Sequence, residues 1–128
     1  MSYPHLPADF DDRFDTGWVT VPNALWDAER SRGLYNEYIS QLSYADEIGF
    51  DGVVLNEHHQ NIYGLMPAPN LLASALTQTT KNCQIVVLGN LVPLNFRPLR
   101  VAEEYAMLDC MSGGRVVAGF APGGGHEA

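Results

Sequence analysis

The sequence predicts an α/β fold in which parallel strands alternate with helices. After an irregular start, helical and strand patterns follow one another in the order α-β-α-β-α-β. The strand segments are short, apolar and rich in β-branched residues, as expected for strands buried on both faces. The connections that follow the strands are long and polar, whereas those that precede them are short. The alternation of helices with apolar strands favours a parallel sheet with right-handed crossovers.

The first predicted elements follow a segment without regular pattern. Residues 1–33 are interrupted by proline and glycine, and only 18–21 resembles a strand. Apolar residues at i, i+3 and i+4 spacing predict a helix over 34–48, and Gly49 is suited to end it. A strand is predicted over 51–56.

Two further helix–strand pairs complete the pattern. The predicted segments are helices over 69–80 and 98–111, strands over 84–88 and 115–120, and loops over 56–69 and 89–97. Pro98 suits the first turn of a helix, and Gly113 suits its end. Because sites in α/β proteins lie at the carboxyl ends of strands, the two loops are expected to carry the chemistry.

Composition excludes some classes of protein. The 128 residues suffice for a single domain over 1–128, with 1–33 as its irregular segment. The net charge of -8 argues against nucleic-acid binding, which needs basic residues. No apolar run is long enough to span a membrane, and residues 1–12 do not resemble a signal peptide. Cys83 and Cys110 lie in apolar surroundings and predict two buried thiols, so a cytoplasmic location is expected.

The strongest candidate site follows the strand over 51–56. Asn56 is followed by Glu57, His58 and His59, where an apolar strand stops. Alternate residues of a strand face opposite sides, so Glu57 and His59 are expected on one face and His58 on the other. One histidine could act as acid or base, and the other could be held by a carboxylate or a backbone group. A metal site and a purely structural hydrogen-bonded corner are the alternatives.

Two glycine-containing segments are weaker candidates. Gly89 and Asn90 follow a buried strand, where the backbone could approach a ligand or form a plain turn. Gly123 to Gly125 could offer N–H groups to an anion such as phosphate, or form a flexible end.

Arg100 and Glu104 are four residues apart on a predicted helix and can pair.

Four segments together resemble a known family. They are EHH (57–59), MPAPN (66–70), LGN (88–90) and RPLRVAEEYAMLDCMSGGRVVAGFAPG (97–123). Over residues 34–125 the chain resembles the luciferase-like flavin-dependent monooxygenases. The resemblance implies the N-terminal half of a TIM (β/α)8 barrel.

The resemblance also implies a cofactor and roles for the candidate residues. Members use reduced FMN, supplied by a separate reductase, or a deazaflavin, and the FMN members activate O₂. His58 and His59 would be the catalytic histidines near the flavin ring, with His58 tied to acid–base work. Gly89 and Asn90 fall where the family places the flavin ring. Together with Glu57, and with Gly123 and Gly124 as possible donors of backbone N–H groups, they are the candidate cofactor-binding residues, with no metal. The family often has a non-prolyl cis peptide near the Gly89–Asn90 step. Pro122 stands where luciferases carry a phosphate-binding arginine.

Three functions therefore stand open at this point. The first is a luciferase-like monooxygenase or oxidoreductase acting on an unknown small organic molecule with O₂, without nucleic-acid or membrane partners. The second is a half barrel without catalysis that binds flavin or a partner protein. The third is a metal-dependent TIM-barrel hydrolase. A half barrel leaves an open strand edge, so a homo-oligomer or the remainder of a longer chain is expected beside it.

Overall fold

The computed structural model describes residues 5–16, 20–95 and 97–123. Within these residues, one parallel sheet has the order β1-β2-β3, with strands β1 (Gly52–Leu55), β2 (Gln84–Leu91) and β3 (Val116–Ala121). The helices are α1 (Phe10–Arg13), α2 (Ala28–Glu47), α3 (Pro69–Thr79) and α4 (Pro98–Ser112), with 3₁₀ turns at Asn23–Leu25 and Val92–Leu94. The alternation of helices with parallel strands confirms the predicted fold class.

The two faces of the sheet differ in burial. Val53 and Ile85 are paired neighbours on the face that packs against the helices, and they are 4% and 0% exposed. The main core on this side also contains Leu55, Met66, Leu72, Ala73, Leu76, Cys83, Val87, Val101, Tyr105 and Leu108. The opposite side, here called the open face, consists of Val54, Val86, Leu88 and Val117. Val54 and Leu88 are 57% and 61% exposed, so this face has an apolar surface available for contact.

Two charged side chains organise the amino ends of the strands. The Asp46 carboxylate, near the end of α2, accepts the backbone N–H groups of residues 81–83 at 2.6–2.9 Å. These hydrogen bonds lower the pKa of Asp46 to about 2. The Arg115 guanidinium donates to the carbonyl oxygens of Thr80, Cys83 and Ser112 at 2.9–3.1 Å. Both side chains thus fix the turns that lead into β2 and β3.

The first long helix begins earlier than predicted. It starts at Ala28 rather than at residue 34, because the Asp27 carboxylate accepts the backbone N–H of Arg30 at 2.9 Å and caps the first turn. Residues 28–33 are therefore helical and do not belong to the irregular segment. The predicted strand over 18–21 lies partly outside the described residues, and its last two residues form a turn and a bend.

Other boundaries confirm or correct the prediction. Gly113 ends α4 in the left-handed conformation, with φ 71°, as predicted. β2 is longer than predicted, since it continues from residue 88 to Leu91. Cys83 is buried, but Cys110 is exposed, because it lies on the outer face of α4. Among the described residues, no helix combines the length and apolar character that a membrane span requires.

Candidate active site

Glu57 joins two predicted site residues on the helix side of the sheet. Val53 and Leu55 face the helices, and the alternation continues to Glu57, whose side chain is 3% exposed. One carboxylate oxygen, Oε1, lies 2.7 Å from His59 Nε2. The other, Oε2, accepts a hydrogen bond from Asn90 Nδ2 at 2.6 Å. The structure therefore confirms that Glu57 and His59 share a face and that a carboxylate holds one histidine.

His58 lies in a separate cavity of about 450 Å³. The cavity lies between α2 and the carboxyl end of β1, and its walls include Tyr38 and Leu42 of α2 as well as Val54 of the open face. The His58 backbone N–H donates to the carbonyl oxygen of Met66 at 3.0 Å. A Cβ placed on Gly64 would lie 2.7 Å from His58 Cβ and 3.1 Å from the ring carbon Cγ. The missing side chain of Gly64 thus makes the room that His58 occupies.

Gly89 lies inside β2 at an irregularity of the sheet. The pairing of β2 with β3 shifts register between Val87 and Asn90. A Cβ on Gly89 would lie 2.8 Å from the carbonyl carbon of Gly119, so the two backbones touch. The peptide bond between Leu88 and Gly89 is cis, one bond before the Gly89–Asn90 step. The alternative of a plain turn at residues 89–90 is wrong, because the bulge lets the strand continue past it.

A second cavity, of about 310 Å³, lies on the helix side. Its walls include Glu57, His59 and Asn90, together with Asn70 and Glu104. Asn70 Nδ2 donates to Glu104 Oε2 at 2.9 Å. The carboxylates thereby fix the orientation of both amides, whose Oδ1 atoms find no partner in the described part of the chain. The predicted pair between Arg100 and Glu104 is also formed, at 3.0 Å.

Tyr105 supports the bulge from α4. Its hydroxyl donates to the carbonyl oxygen of Gly119 at 3.0 Å, and its ring meets Phe120 edge-on at 5.6 Å. Burial raises the pKa of Tyr105 to about 12, and the nearby charge of Glu57 acts in the same direction. No sequence signal indicated the contact of its hydroxyl.

The N-terminal segment packs on the loop that carries the histidines. Leu6, Phe10 and Val21 form a small second core with Ile62. His5 is 3% exposed, and its Nε2 lies 2.7 Å from the carbonyl oxygen of Ile62. The segment predicted to be irregular therefore stabilises the loop after β1.

The structure does not bring every predicted site residue to one place. Gly123 follows β3 with φ 84° and is not among the residues that line the His58 or His59 cavities. Gly124 lies outside the described residues. Within the described ranges, no group of three or more His, Cys, Asp or Glu side chains is placed to hold a metal ion.

Comparison with known proteins identifies the family of the chain. The family model of luciferase-like monooxygenases matches residues 17–128. The alkanal monooxygenase beta chain of Vibrio harveyi is 36% identical over 84 residues, which are 66% of this chain and 26% of that protein. The oxygenase component of the flavin-dependent trigonelline monooxygenase of Acinetobacter baylyi is 32% identical over 97 residues, 76% of this chain and 27% of that protein.

A solved structure is similar over the same region. The oxygenating constituent of 3,6-diketocamphane monooxygenase from Pseudomonas putida, in complex with FMN, has a TM-score of 0.69 and 28% identity. The match covers 73% of this chain and 25% of that one. The chain thus spans about a quarter of the length of these relatives. Since the family model covers most of the residues, the chain belongs to the luciferase-like monooxygenase family.

Proposed function

We propose that this chain forms the N-terminal part of a flavin-dependent monooxygenase or oxidoreductase that uses reduced FMN and O₂ on a small organic substrate. The observation that carries the proposal is that His58 follows the carboxyl end of a parallel strand and lines a cavity together with Val54 of the open face. The complete protein would supply the rest of the barrel and, with its loops, most of the contacts that select the substrate.

The residues present fit a flavin ring. Such a ring needs an apolar surface with a few polar groups at its edge. The open face offers the exposed side chains of Val54 and Leu88, and Val54 shares a cavity with His58. The FMN complex of the Pseudomonas putida protein supports a flavin as the cofactor, since that chain has a similar fold over this region.

His58 is the proposed acid–base group. When bound, reduced flavin supplies the electrons with which O₂ is activated. An imidazole gains and loses a proton near neutral pH, so His58 can hold a proton on a ring nitrogen beside the reacting atoms. The Met66 carbonyl and the space at Gly64 set its backbone and ring position. His59, the second histidine of the proposed catalytic pair, forms a hydrogen bond with the Glu57 carboxylate. It would affect the reaction through this contact.

The remaining proposed contacts lie on neighbouring strand ends. The backbone of Gly89 and Asn90 would border the flavin ring from β2, since the Asn90 side chain is bonded to Glu57 on the helix side. The backbone N–H groups of Gly123 and Gly124 would bind the phosphate of FMN, since successive glycine amides suit an anion. The relative from Acinetobacter baylyi is described as an oxygenase component, which favours a separate reductase as the source of reduced flavin. A deazaflavin is the alternative cofactor.

One observation favours a second candidate function. Among the described residues, β3 has a strand neighbour on one side only, and the open face has no covering element. A half barrel that binds flavin or a partner protein without catalysis would also present these surfaces. In either case the uncovered surfaces would pack against a second copy of the chain or the rest of a longer polypeptide. No described cluster of ligands supports the hydrolase alternative.

The test is anaerobic equilibrium dialysis of the purified chain against reduced FMN. We expect stoichiometric binding at micromolar flavin and its loss in Leu88→Asp, which puts a charge on the open face. Leu99→Asp is the matched control, because Leu99 is 72% exposed on α4 and lines neither histidine cavity. Equal loss in both variants, or no binding by the parent chain, would contradict the proposed flavin site.

A second measurement separates catalysis from binding alone. Mixing the bound reduced flavin with O₂ should give a pH-dependent rate of flavin oxidation that His58→Ala alters while flavin still binds. Unchanged kinetics in His58→Ala would favour the half barrel without catalysis.

A further inference from the structure

We propose that Glu57 is a positioning residue whose buried carboxylate couples the His58–His59 segment to the bulge of β2. This inference deepens the proposed function and rests on it for its consequences on flavin binding. It replaces the expectation that Glu57 contacts the cofactor directly. In this role, Glu57 sets the relative position of two strand ends that border the ring site.

The first support is that Glu57 has no free surface for a ligand. Its side chain is 3% exposed, and it faces the helices rather than the open face. Both oxygens are engaged, Oε1 with His59 and Oε2 with Asn90. A buried carboxylate is strongly disfavoured unless hydrogen bonds compensate its charge. Moving either His59 or Asn90 away would leave the charge uncompensated, so both partners are held in place.

The second support is the location of those partners. Glu57 directly precedes His58, whose N–H is bound to the Met66 carbonyl. Asn90 directly follows Gly89, where β2 touches the backbone of β3. The hydrogen bond between Glu57 and Asn90 therefore links the loop after β1 to the register shift in β2. Displacement of one end must displace the other or break this bond.

The chain contains a matched pair for control. Glu104 also accepts from an asparagine, Asn70, at 2.9 Å, and both residues line the same cavity as Glu57. That bond joins α3 to α4 and contacts neither strand end. Glu104 is 35% exposed and also pairs with Arg100, so the comparison tests where exchange rises and not how much stability is lost.

The experiment compares Glu57→Ala, Glu57→Gln and Glu104→Ala in the full chain. Amide hydrogen exchange is measured over residues 57–59 and 88–91, together with the dissociation constant for reduced FMN. In Glu57→Ala we expect faster exchange in both segments and binding weakened on the order of tenfold, as for the loss of a hydrogen bond to a charged group. Glu57→Gln should restore both, because an amide can still accept from Asn90 and donate to a neutral His59. Glu104→Ala should change neither.

The outcomes separate this inference from the proposed function. Absence of flavin binding by the parent chain would contradict the function, while the exchange data would still test the coupling. Flavin binding that is unchanged in Glu57→Ala, or exchange that rises only at 57–59, would overturn the positioning role. If Glu57→Ala does not fold, Asn90→Ala breaks the link from the other side, and faster exchange at 57–59 is then the required result.

Discussion

Gly119→Ala should destabilise the chain strongly, because the backbone of β2 occupies the space that a side chain would need. A Cβ at Gly119 would lie 2.3 Å from the carbonyl oxygen of Val87 and 3.3 Å from Leu88 Cα. Carbon–oxygen contacts between strands are ordinarily about 3.3 Å or longer, so β2 and β3 must separate by about 1 Å here. Overpacking of this kind costs about 1–3 kcal/mol. We expect the upper end of this range because the new Cβ would meet backbone atoms of β2, which cannot rotate away as a side chain can.

Gly33→Ala is the matched control, with the opposite sign. Gly33 lies within α2, and no atom is within 4 Å of the position of its Cβ. Alanine is favoured over glycine in a helix interior by about 0.5–1 kcal/mol, so this substitution should stabilise the chain. The same chemical change thus tests two environments.

Urea unfolding followed by far-ultraviolet circular dichroism measures both effects. We expect the unfolding midpoint of Gly119→Ala to fall well below that of the parent chain and that of Gly33→Ala to rise, with similar slopes. A Gly119→Ala variant as stable as the parent would refute the close approach of β2 and β3 at the bulge, and with it the described register shift.

Three further predictions concern groups on the helix side. Because the folded pKa of Asp46 is about 2, below its unfolded value, its stabilising effect is present above about pH 4 and is lost as pH falls toward 2. The difference in urea midpoint between the parent and Asp46→Asn should therefore shrink over that range, and a constant difference would contradict it. Tyr105, with a pKa of about 12, favours its neutral form when folded, so its contribution is lost as pH rises from about 10 to 12. The absorbance titration difference between the parent and Tyr105→Phe should be centred near 12, and a centre near 10 would argue against burial. Leu76→Ala, at a fully buried position, should lower the free energy of unfolding by about 2–5 kcal/mol, and Leu99→Ala at an exposed one by about 0.5 kcal/mol or less. Equal midpoints for these two variants in urea would contradict the assigned core.

Local patterns predicted the order of elements but not every boundary. Pro98 and Gly113 mark the ends of α4 because each has a conformational preference that acts within one turn. The start of α2 was missed because its first six residues are mostly polar and include Gly33, so apolar periodicity begins only later. The capping contact of Asp27 is what sets that start. The extension of β2 to Leu91 depends on the backbone of a residue some thirty positions later, which no local pattern can indicate.

The candidate site was predictable to a similar degree. Strand alternation alone predicts Glu57 and His59 on one face, and the structure agrees. His58 lines a different cavity, between α2 and the carboxyl end of β1. The contact between Glu57 and Asn90 could not be predicted, since it depends on the register of β1 against β2 and on the bulge. The role of Gly64 depends on a loop folding back over His58, which is also a long-range event.

Residues at the amino ends of the strands stabilise the fold, whereas residues at the carboxyl ends also border the proposed flavin site. At the amino ends, Asp46 and Arg115 satisfy the backbone groups of tight turns, and such contacts act on the fold alone. At the carboxyl ends, Gly64, Gly89 and Gly119 each occupy a position where a Cβ would lie under 3.0 Å from a neighbour. Regular parallel strands do not need such close approaches. We therefore expect the three glycines at this edge to position the residues of the proposed flavin site. Substitutions at the amino ends should therefore change the free energy of unfolding only, whereas those at the carboxyl ends should change flavin binding as well.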